Sequence, residues 1–274
     1  MPPKRAAAWA TASRTLASSR MSHCSGSAWP PAASISCAAL EIEAAGGQAL
    51  PLQCNIREEA SVLEAVTKAV TRFGGIDILV NNASAISLTP TPATPMKRFD
   101  LMFGVNVRGT YLCTQLCLPW LKKAAQAGRN PHVLNLSPPL SMREHWFAPH
   151  VAYTMAKYGM SECTLGHAGE FRRHGIGVNS LWPRTAIATA ALQMIPGIDL
   201  TKCRTPEILA DAAYLVLTSD ARSHTGQFHI DDTLLRAHGV TDLERYSVTP
   251  CWASSVSSMK KLPLVVFASL VRIR

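Results

Sequence analysis

Apolar positions along the middle of the chain alternate between a helical spacing and short continuous runs. Val62, Val66, Val70 and Phe73 are spaced as on one face of a helix, and the apolar run from Ile76 to Val80 follows them. This reading predicts helices over 38–45, 62–73, 97–127, 151–173 and 205–217, and strands over 49–55, 76–80, 132–136, 177–182 and 226–230. Such alternation is typical of βαβ units in a parallel sheet covered by helices on both faces.

Small or polar residues end three of these predicted strands. Asn81 follows the second strand, Ser137 follows the third, and Pro183 follows the fourth. In open α/β sheets, ligands bind beyond the carboxyl ends of the strands, where such residues converge. The chemistry of this protein is therefore expected at that edge of the sheet.

The two ends of the chain differ in composition from the middle. No valine occurs before Val62, and residues 1–37 are rich in Ala, Ser and Arg without acidic residues. This leader resembles a mitochondrial transit peptide, and the alternative is a disordered or non-functional start. We divide the chain into a leader (1–37), one domain (38–250) and a basic, apolar tail (251–274). The apolar run from Leu262 to Val271 is shorter than the roughly 18 residues of a membrane helix.

The positive charge of the protein lies almost entirely in these two ends. The 274 residues carry a net charge of +9, and residues 41–250 are left with +1 once the eight basic residues of the ends are removed. A nucleic-acid site needs Lys and Arg clustered on folded elements, so no nucleic-acid partner is expected. A hydrophobic content of 47% excludes wholesale disorder. The eight scattered cysteines fit a reducing compartment, and no metal-binding spacing of His or Cys occurs.

Tyr153 and Lys157 form the pair with the clearest chemical meaning. Four residues apart on a helix, they share one face. An ammonium group beside a phenol stabilises the phenolate and is expected to lower its pKa, which suits a general acid–base. Ser137, at the end of the preceding strand, is placed to bind a substrate oxygen. Asn106 is placed to hold a water or the local backbone and so connect Lys157 to solvent.

Five segments together resemble the short-chain dehydrogenase/reductase family in order and approximate spacing. They are Asn81 to Ser84, Asn106 to Gly109, Leu134 to Ser137, Tyr153 to Lys157 and Val178 to Pro183. The resemblance covers about residues 38–250. It implies a Rossmann-like, doubly wound parallel sheet and an NAD(P)-dependent oxidoreductase acting on an alcohol or ketone, with lipids and steroids among the candidates.

The same resemblance assigns roles residue by residue. Tyr153 corresponds to the proton donor and acceptor, Lys157 to its partner and ribose ligand, Ser137 to the substrate-oxygen ligand, and Asn106 to the relay. Ser141 is a weaker alternative to Ser137, because sixteen positions separate Ser137 from Tyr153 and Pro138-Pro139 follows it. Besides Tyr153 and Lys157, the implied cofactor-binding residues, for NAD or NADP, are Asn55, Asn81, Asn82, Ala83, Pro183 and Thr185.

The beginning of the chain departs from the family pattern. The family's first strand and its glycine-rich turn belong before residue 38, yet Gly26 is the sole glycine before Gly46. In the family's strand order, 3-2-1-4-5-6-7, the predicted strands over 49–55 and 76–80 are the third and fourth. We therefore predict a sheet incomplete at its N-terminal βαβ portion. Two hypotheses follow: an active oxidoreductase, or a truncated, catalytically impaired form that does not bind dinucleotide and acts through dimerisation.

Partners and location follow from the resemblance alone. It implies a homo-oligomer formed through the helices over 97–127 and 151–173, and a small-molecule alcohol or ketone substrate. That no transmembrane segment is expected follows instead from the short apolar runs of the sequence. The resemblance also implies a peroxisomal or mitochondrial location, or a cytoplasmic one if the leader is not a targeting signal. The final residues Val271 to Arg274 do not form a peroxisomal signal of the S-K-L type.

Overall fold

A computed structural model describes residues 39–40, 42–44, 46–189, 192 and 198–249, and the backbone of 269–271. The predicted leader and most of the predicted tail lie outside these residues. The chain divides into two compact units. The larger comprises Cys54–Trp182, Val216–His229 and Val265–Arg274, and the smaller comprises Met1–Gln53, Pro183–Leu215 and Ile230–Leu264. Each unit is described by itself below.

A five-stranded sheet has the order β4-β3-β2-β1-β5. The strands are β1 (Ile78–Asn81), β2 (His132–Asn135), β3 (Gly177–Trp182), β4 (Phe228–Ile230) and β5 (Ser269–Val271). Strands β1, β2 and β3 pair in parallel, with Asn81 opposite Asn135 and Asn135 opposite Ser180. This arrangement confirms the predicted α/β, Rossmann-like fold, and it aligns the carboxyl ends of the three central strands.

Helices accompany these strands in the described part of the chain, and all but the last lie within or close to the predicted helical ranges. They are α1 (Glu59–Phe73), α2 (Met96–Met102), α3 (Thr110–Gln126), α4 (Val151–Phe171), α5 (Glu207–Thr218) and α6 (Asp231–Ala237). A π-helical segment, Phe103–Gly109, joins α2 to α3 without a break. The predicted helix over 97–127 is therefore one continuous helical region, and Asn106 lies in its π-helical part. π-Helical turns widen a helix locally and are frequent at functional sites.

The core of the larger unit lies between the central strands and helices α1, α3 and α4. Val66, Leu121, Val133, Phe171 and Val178 are among its buried residues. Each fully buried side chain of this size contributes about 1.5–3 kcal/mol relative to exposure. The continuous apolar strands therefore stabilise the sheet and hold the polar residues at its carboxyl edge.

Residues 49–55, predicted to be a strand, contain no strand in the structure. This prediction is wrong, and the reason is pairing. A strand requires a hydrogen-bonded neighbour, and the edge of β1 that faces away from β2 pairs antiparallel with β5. Among the described residues, no strand precedes β1, so the segment over 49–55 has no ladder to join.

Helix α4 packs closely on the π-helical segment at a glycine. A Cβ atom on Gly159 would lie 2.6 Å from a methyl carbon of Val107, well inside van der Waals contact. Only glycine allows this approach without displacement. The contact brings α4, which carries Tyr153 and Lys157, against the segment that carries Asn106.

The smaller unit is organised around the chain that follows β3. Ile187 forms a parallel bridge with Arg204, and Arg204 forms an antiparallel bridge with Ser247. Tyr246 donates its hydroxyl proton to Asp211 over 2.6 Å and so ties residue 246 to α5. No helix within the described ranges combines the length and hydropathy of a membrane-spanning segment.

Candidate active site

A chain of buried polar side chains crosses the carboxyl ends of β1 and β2. Asn81 donates to Thr114 over 3.1 Å and to Asn135 over 2.8 Å, and Asn135 donates to Thr164 over 2.8 Å. All four side chains are buried. Buried amides require such partners, so this row locks the strand ends to α3 and α4. Asn81, predicted to line the cofactor cleft, is committed here to holding the sheet edge.

Lys157 lies beneath the end of β2. Its Nζ donates to the carbonyl oxygen of Leu136 over 2.9 Å and lies 3.4 Å from the sulfur of Met160. The indole ring of Trp182 is 5.4 Å from Nζ, within the range of a cation–π contact. The side chain is only 2% exposed, and this burial lowers the pKa of the Lys157 amine to about 7.

Tyr153 lies one turn earlier on α4 and is buried with Met102 and Ala156. The edge of the His150 ring meets the Tyr153 ring at 5.7 Å and 89°. Burial raises the pKa of Tyr153, the direction opposite to the one expected from a neighbouring lysine. The physical reason is that the phenolate loses its hydration, while the amine of Lys157 is directed at the Leu136 carbonyl. Tyr153 is therefore a neutral phenol that retains its proton near neutral pH.

Ser137 is completely buried and follows the residue that Lys157 contacts. Its Oγ has no hydrogen-bond partner in the described part of the chain. The alternative residue, Ser141, is only half-buried and accepts a long 3.5 Å contact from the Arg143 amide. A buried hydroxyl without a partner is unusual in a native protein, and a bound oxygen atom would satisfy it. The geometry therefore favours Ser137 over Ser141.

Asn106 holds the loop that follows β1. Its side chain accepts from the Ala85 amide over 2.7 Å and donates to the Ala85 carbonyl over 3.0 Å. Ala85 in turn packs against the cluster around Tyr153. Asn82 is buried and Ala83 half-buried in the same loop. Of the two expected roles for Asn106, the contact with the local backbone is the one seen.

The remaining predicted cofactor residues lie in separate places. Asn55 is half-buried, and its side chain contacts Arg57 and Glu58, close by in sequence. Pro183 and Thr185 belong to the smaller unit, where Pro183 is buried and Thr185 Oγ1 is buried with no partner among the residues that the structure describes. Within the larger unit, the fold brings together the residues around the end of β2. The side chain of Asn55 instead bonds to residues close to it in the sequence.

The end of β2 offers donors that suit the nicotinamide end of a dinucleotide. Ser137 Oγ is a buried hydroxyl that lacks a partner among the described residues, and Lys157 Nζ has one N–H beyond those directed at Leu136 and Met160. Oxygen-rich groups such as a carboxamide and a ribose satisfy donors of this kind. The residues present therefore fit that end of the cofactor.

Three residues near this site were not anticipated from the sequence. His150 contacts Tyr153, and Met160 and Trp182 contact Lys157. Met160 is three residues after Lys157 and so shares its helical face, a signal present in the sequence. His150 and Trp182 reach the site through the packing of a loop and a strand, which no local pattern reveals.

Comparison with known proteins adds an independent line of evidence. The family model described as short chain dehydrogenase matches residues 19–195. Hydroxysteroid dehydrogenase-like protein 2 of Xenopus tropicalis is 56% identical over 214 residues, covering 78% of this chain and 50% of the relative. The human protein of that name is 53% identical over 215 residues, with the same coverage. The chain thus spans about half the length of these curated relatives.

Solved structures agree with these matches. A dehydrogenase from Xanthomonas campestris superposes with a TM-score of 0.79 at 48% identity, covering 93% of this chain and 92% of that one. A short chain dehydrogenase from Mycobacterium thermoresistibile gives 0.76 at 44% identity, covering 96% and 90%.

Proposed function

The chain belongs to the short-chain dehydrogenase family, and we propose that it interconverts an alcohol and a ketone with NAD or NADP. The observation that carries this proposal is the grouping at the end of β2. The buried Lys157 donates to the Leu136 carbonyl, and the next residue, Ser137, has a hydroxyl with no partner among the described residues. Tyr153 lies on the same helical face, one turn away.

In ketone reduction, Ser137 binds the substrate and Tyr153 transfers the proton. Ser137 Oγ donates a hydrogen bond to the substrate carbonyl oxygen, which polarises the C=O bond. A bound reduced nicotinamide would supply a hydride to the carbonyl carbon. Tyr153 Oη gives its proton to the oxygen as negative charge develops there. The product is the alcohol, and Tyr153 is left as a phenolate.

The Lys157 ammonium stabilises that phenolate through its positive charge. Because burial raises the pKa of Tyr153, the neutral phenol is the resting form, and it is the form that ketone reduction requires. Alcohol oxidation requires the phenolate instead. We therefore expect the reductive direction to dominate at neutral pH and the oxidative direction to gain as pH rises.

The substrate class is proposed from the relatives. Their printed name, hydroxysteroid dehydrogenase-like protein 2, brings steroids and other lipid-derived alcohols and ketones into the proposal. A peroxisomal or mitochondrial location is proposed on the resemblance to the family, and imaging of the tagged chain beside organelle markers tests it.

A homo-oligomer is proposed through the helical region over 97–127 and through α4. Tyr111 on α3 and Met155 and Leu165 on α4 are large side chains that are exposed on these helices. Exposed apolar side chains on these helices are the observation in favour of subunit contact. Sedimentation of the full chain tests the proposal, and a monomer at micromolar concentration would contradict it.

A second candidate function is a chain that keeps these residues but associates with partners without binding dinucleotide. The observation in its favour is the sequence before Gly46, which contains one glycine and no glycine-rich turn. Such turns let the backbone approach a pyrophosphate at a helix N-terminus. This candidate retains the proposed homo-oligomer and loses the oxidoreductase activity.

Cofactor titration of the full chain separates the two candidates. We expect NADH or NADPH to bind with a Kd below about 1 mM, the upper end of ordinary affinities, and a ketone to be reduced. Lys157→Met should weaken binding, because it removes the buried amine. The control is Lys123→Met, which removes an exposed amine on α3. Absence of binding at millimolar concentrations of both dinucleotides would favour the second candidate.

A further inference from the structure

One buried carboxylate anchors the chain segment that follows β3. Asp231, the first residue of α6, is 0% exposed. Its Oδ1 accepts a hydrogen bond from the Arg184 amide over 2.9 Å and another from the Asp232 amide over 2.7 Å. Arg184 is 47 residues away in sequence, so this contact fixes two distant parts of the smaller unit to each other.

The side chain of Arg184 adds a second attachment to the same helix. Its Nε lies 3.2 and 3.3 Å from the two carboxylate oxygens of Asp232, and its Nη2 donates to Thr233 over 2.8 Å. Backbone and side chain of one residue are thus held together. Arg184 lies between Pro183 and Thr185, the two residues of this segment assigned to the cofactor.

The contact between Asp231 and the Arg184 amide leaves one carboxylate oxygen unsatisfied in the described chain, which a purely structural contact would not require. Oδ2 of Asp231 is buried and has no hydrogen-bond partner within the described residues. Burial of a carboxylate is unfavourable, and here it is the main cause that raises the pKa of Asp231 to about 6, although the two backbone amides and the charge of Arg204 act in the opposite direction. Tolerance of this free-energy cost indicates that the position of the Arg184 amide matters.

We propose that Asp231 is a positioning residue for the cofactor: by holding the Arg184 amide, it fixes the adjoining Thr185 hydroxyl for contact with a bound dinucleotide. This inference rests on the proposed function. The hydroxyl of Thr185 supports the proposal, because its Oγ1 is buried and has no hydrogen-bond partner among the described residues, so a ligand atom could bond to it. Asp231 itself touches the backbone of Arg184 and acts only through it.

Two substitutions at this position test the proposal. Asp231→Ala removes the acceptor, and Asp231→Asn removes the charge but keeps one oxygen for the Arg184 amide. A hydrogen bond to a charged group contributes about 1.5–3 kcal/mol, so Asp231→Ala should weaken NADH or NADPH binding roughly tenfold to a hundredfold. Hydrogen exchange at the Arg184 amide should accelerate to a similar degree. Asp231→Asn should restore most of both.

Asp199→Asn is the matched control. Asp199 also accepts a backbone amide, that of Thr201, over 3.1 Å, but it is exposed and serves a local turn. We expect this variant to leave cofactor affinity and Arg184 exchange unchanged. Thermal unfolding of each variant, followed by circular dichroism, verifies that the folded protein is compared.

The outcomes are separable. Faster Arg184 exchange in Asp231→Ala with unchanged cofactor affinity would make the anchor purely structural and overturn the proposal. Equal weakening in Asp231→Ala and Asp231→Asn would also overturn it, because the retained oxygen would then have no effect. If the unsubstituted chain binds neither dinucleotide, the proposed function fails, and the positioning role fails with it.

Discussion

The two ends of β2 each contain buried polar groups, but these groups are satisfied in different ways. At the amino end, His132 is completely buried, and its Nε2 lies 3.0 Å from the Ser219 carbonyl oxygen. At the carboxyl end, Lys157 donates to the Leu136 carbonyl, and Ser137 Oγ has no partner among the described residues. The chain itself supplies a partner for His132 Nε2 at the first end, whereas the hydroxyl at the second end has none among the described residues.

Packing explains why the unsatisfied atom at the amino end does not make a site. His132 Nδ1 also lacks a partner within the described residues, yet a Cβ atom on Gly177 would lie 2.7 Å from it. No ligand fits there, and burial lowers the pKa of His132 to about 4, which keeps it neutral. At the carboxyl end, the Lys157 amine contacts the carbonyl of Leu136, the residue that precedes Ser137. An unsatisfied polar atom therefore indicates function only where charge and other donors accompany it.

The largest effect is expected for Tyr153→Phe, which removes one oxygen atom near the carboxyl end of β2 and so tests whether that end is the active site. Loss of a general acid should lower the rate of ketone reduction by about 10²–10⁴-fold. Denaturant unfolding of the variant shows whether the folded protein is compared. Tyr158→Phe, on the same helix, is the control. A Tyr153→Phe enzyme of undiminished rate would remove this residue from the mechanism.

Ser137→Ala and Ser161→Ala form a second, matched test. Ser137 Oγ has no partner to lose among the described residues, so stability should be unchanged while activity falls about 10²-fold, as for loss of an oxyanion donor. Ser161 Oγ donates to the Pro138 carbonyl over 2.6 Å. Its replacement should lower the free energy of unfolding by about 1 kcal/mol. Denaturant unfolding and initial rates measure both, and a reversed pattern would contradict the distinction.

At the amino end of β2, His132→Gln should make the free energy of unfolding less dependent on pH in the acid range. The folded pKa of His132 is depressed to about 4, so between pH 6.5 and 4 the unfolded chain binds a proton that the folded chain does not. Stability due to His132 is then lost as pH falls, by roughly 1–3 kcal/mol across that window. Urea unfolding from pH 7 to 4 measures the slope for both proteins.

The contribution of His132 is the difference between the pH dependence of unfolding in the unsubstituted protein and that in His132→Gln. The raised folded pKa of Asp231, about 6, acts in the opposite direction, because the folded chain then binds the extra proton as pH falls below 6. Since Asp231 is present in both proteins, its contribution cancels. The same pH dependence in both proteins would show that His132 is not the group that titrates.

The smallest expected effect concerns Trp182, which faces Lys157. Trp182→Leu removes a cation–π contact of about 0.5–1 kcal/mol, which favours the charged amine. The pKa of Lys157 should therefore fall by about 0.5 unit. Acylation of Lys157 as a function of pH, quantified by mass spectrometry, measures this shift. Trp120→Leu, which removes the corresponding contact with Lys123, should leave it unmoved, and equal effects would exclude a specific contribution of Trp182.

Local patterns in the sequence were sufficient to predict the main helices and the central strands. The helical spacing from Val62 to Phe73 and the apolar run of Gly177 to Trp182 both form the predicted elements. The five segments that include Tyr153 and Lys157 were together sufficient to predict the family. These features are encoded within short stretches, because a helix or a buried strand is recognised by the spacing of its apolar residues.

Tertiary structure alone decided the rest. Residues 49–55 have strand-like composition, but a strand exists only where a partner offers a ladder, and β5 occupies that edge of β1. The protonation of Tyr153 depends on burial by residues distant in sequence. The anchoring of Arg184 by Asp231 joins positions 47 residues apart. The sequence by itself determined the elements and the chemical groups, because both are local; pairing, desolvation and long-range contacts required the folded chain.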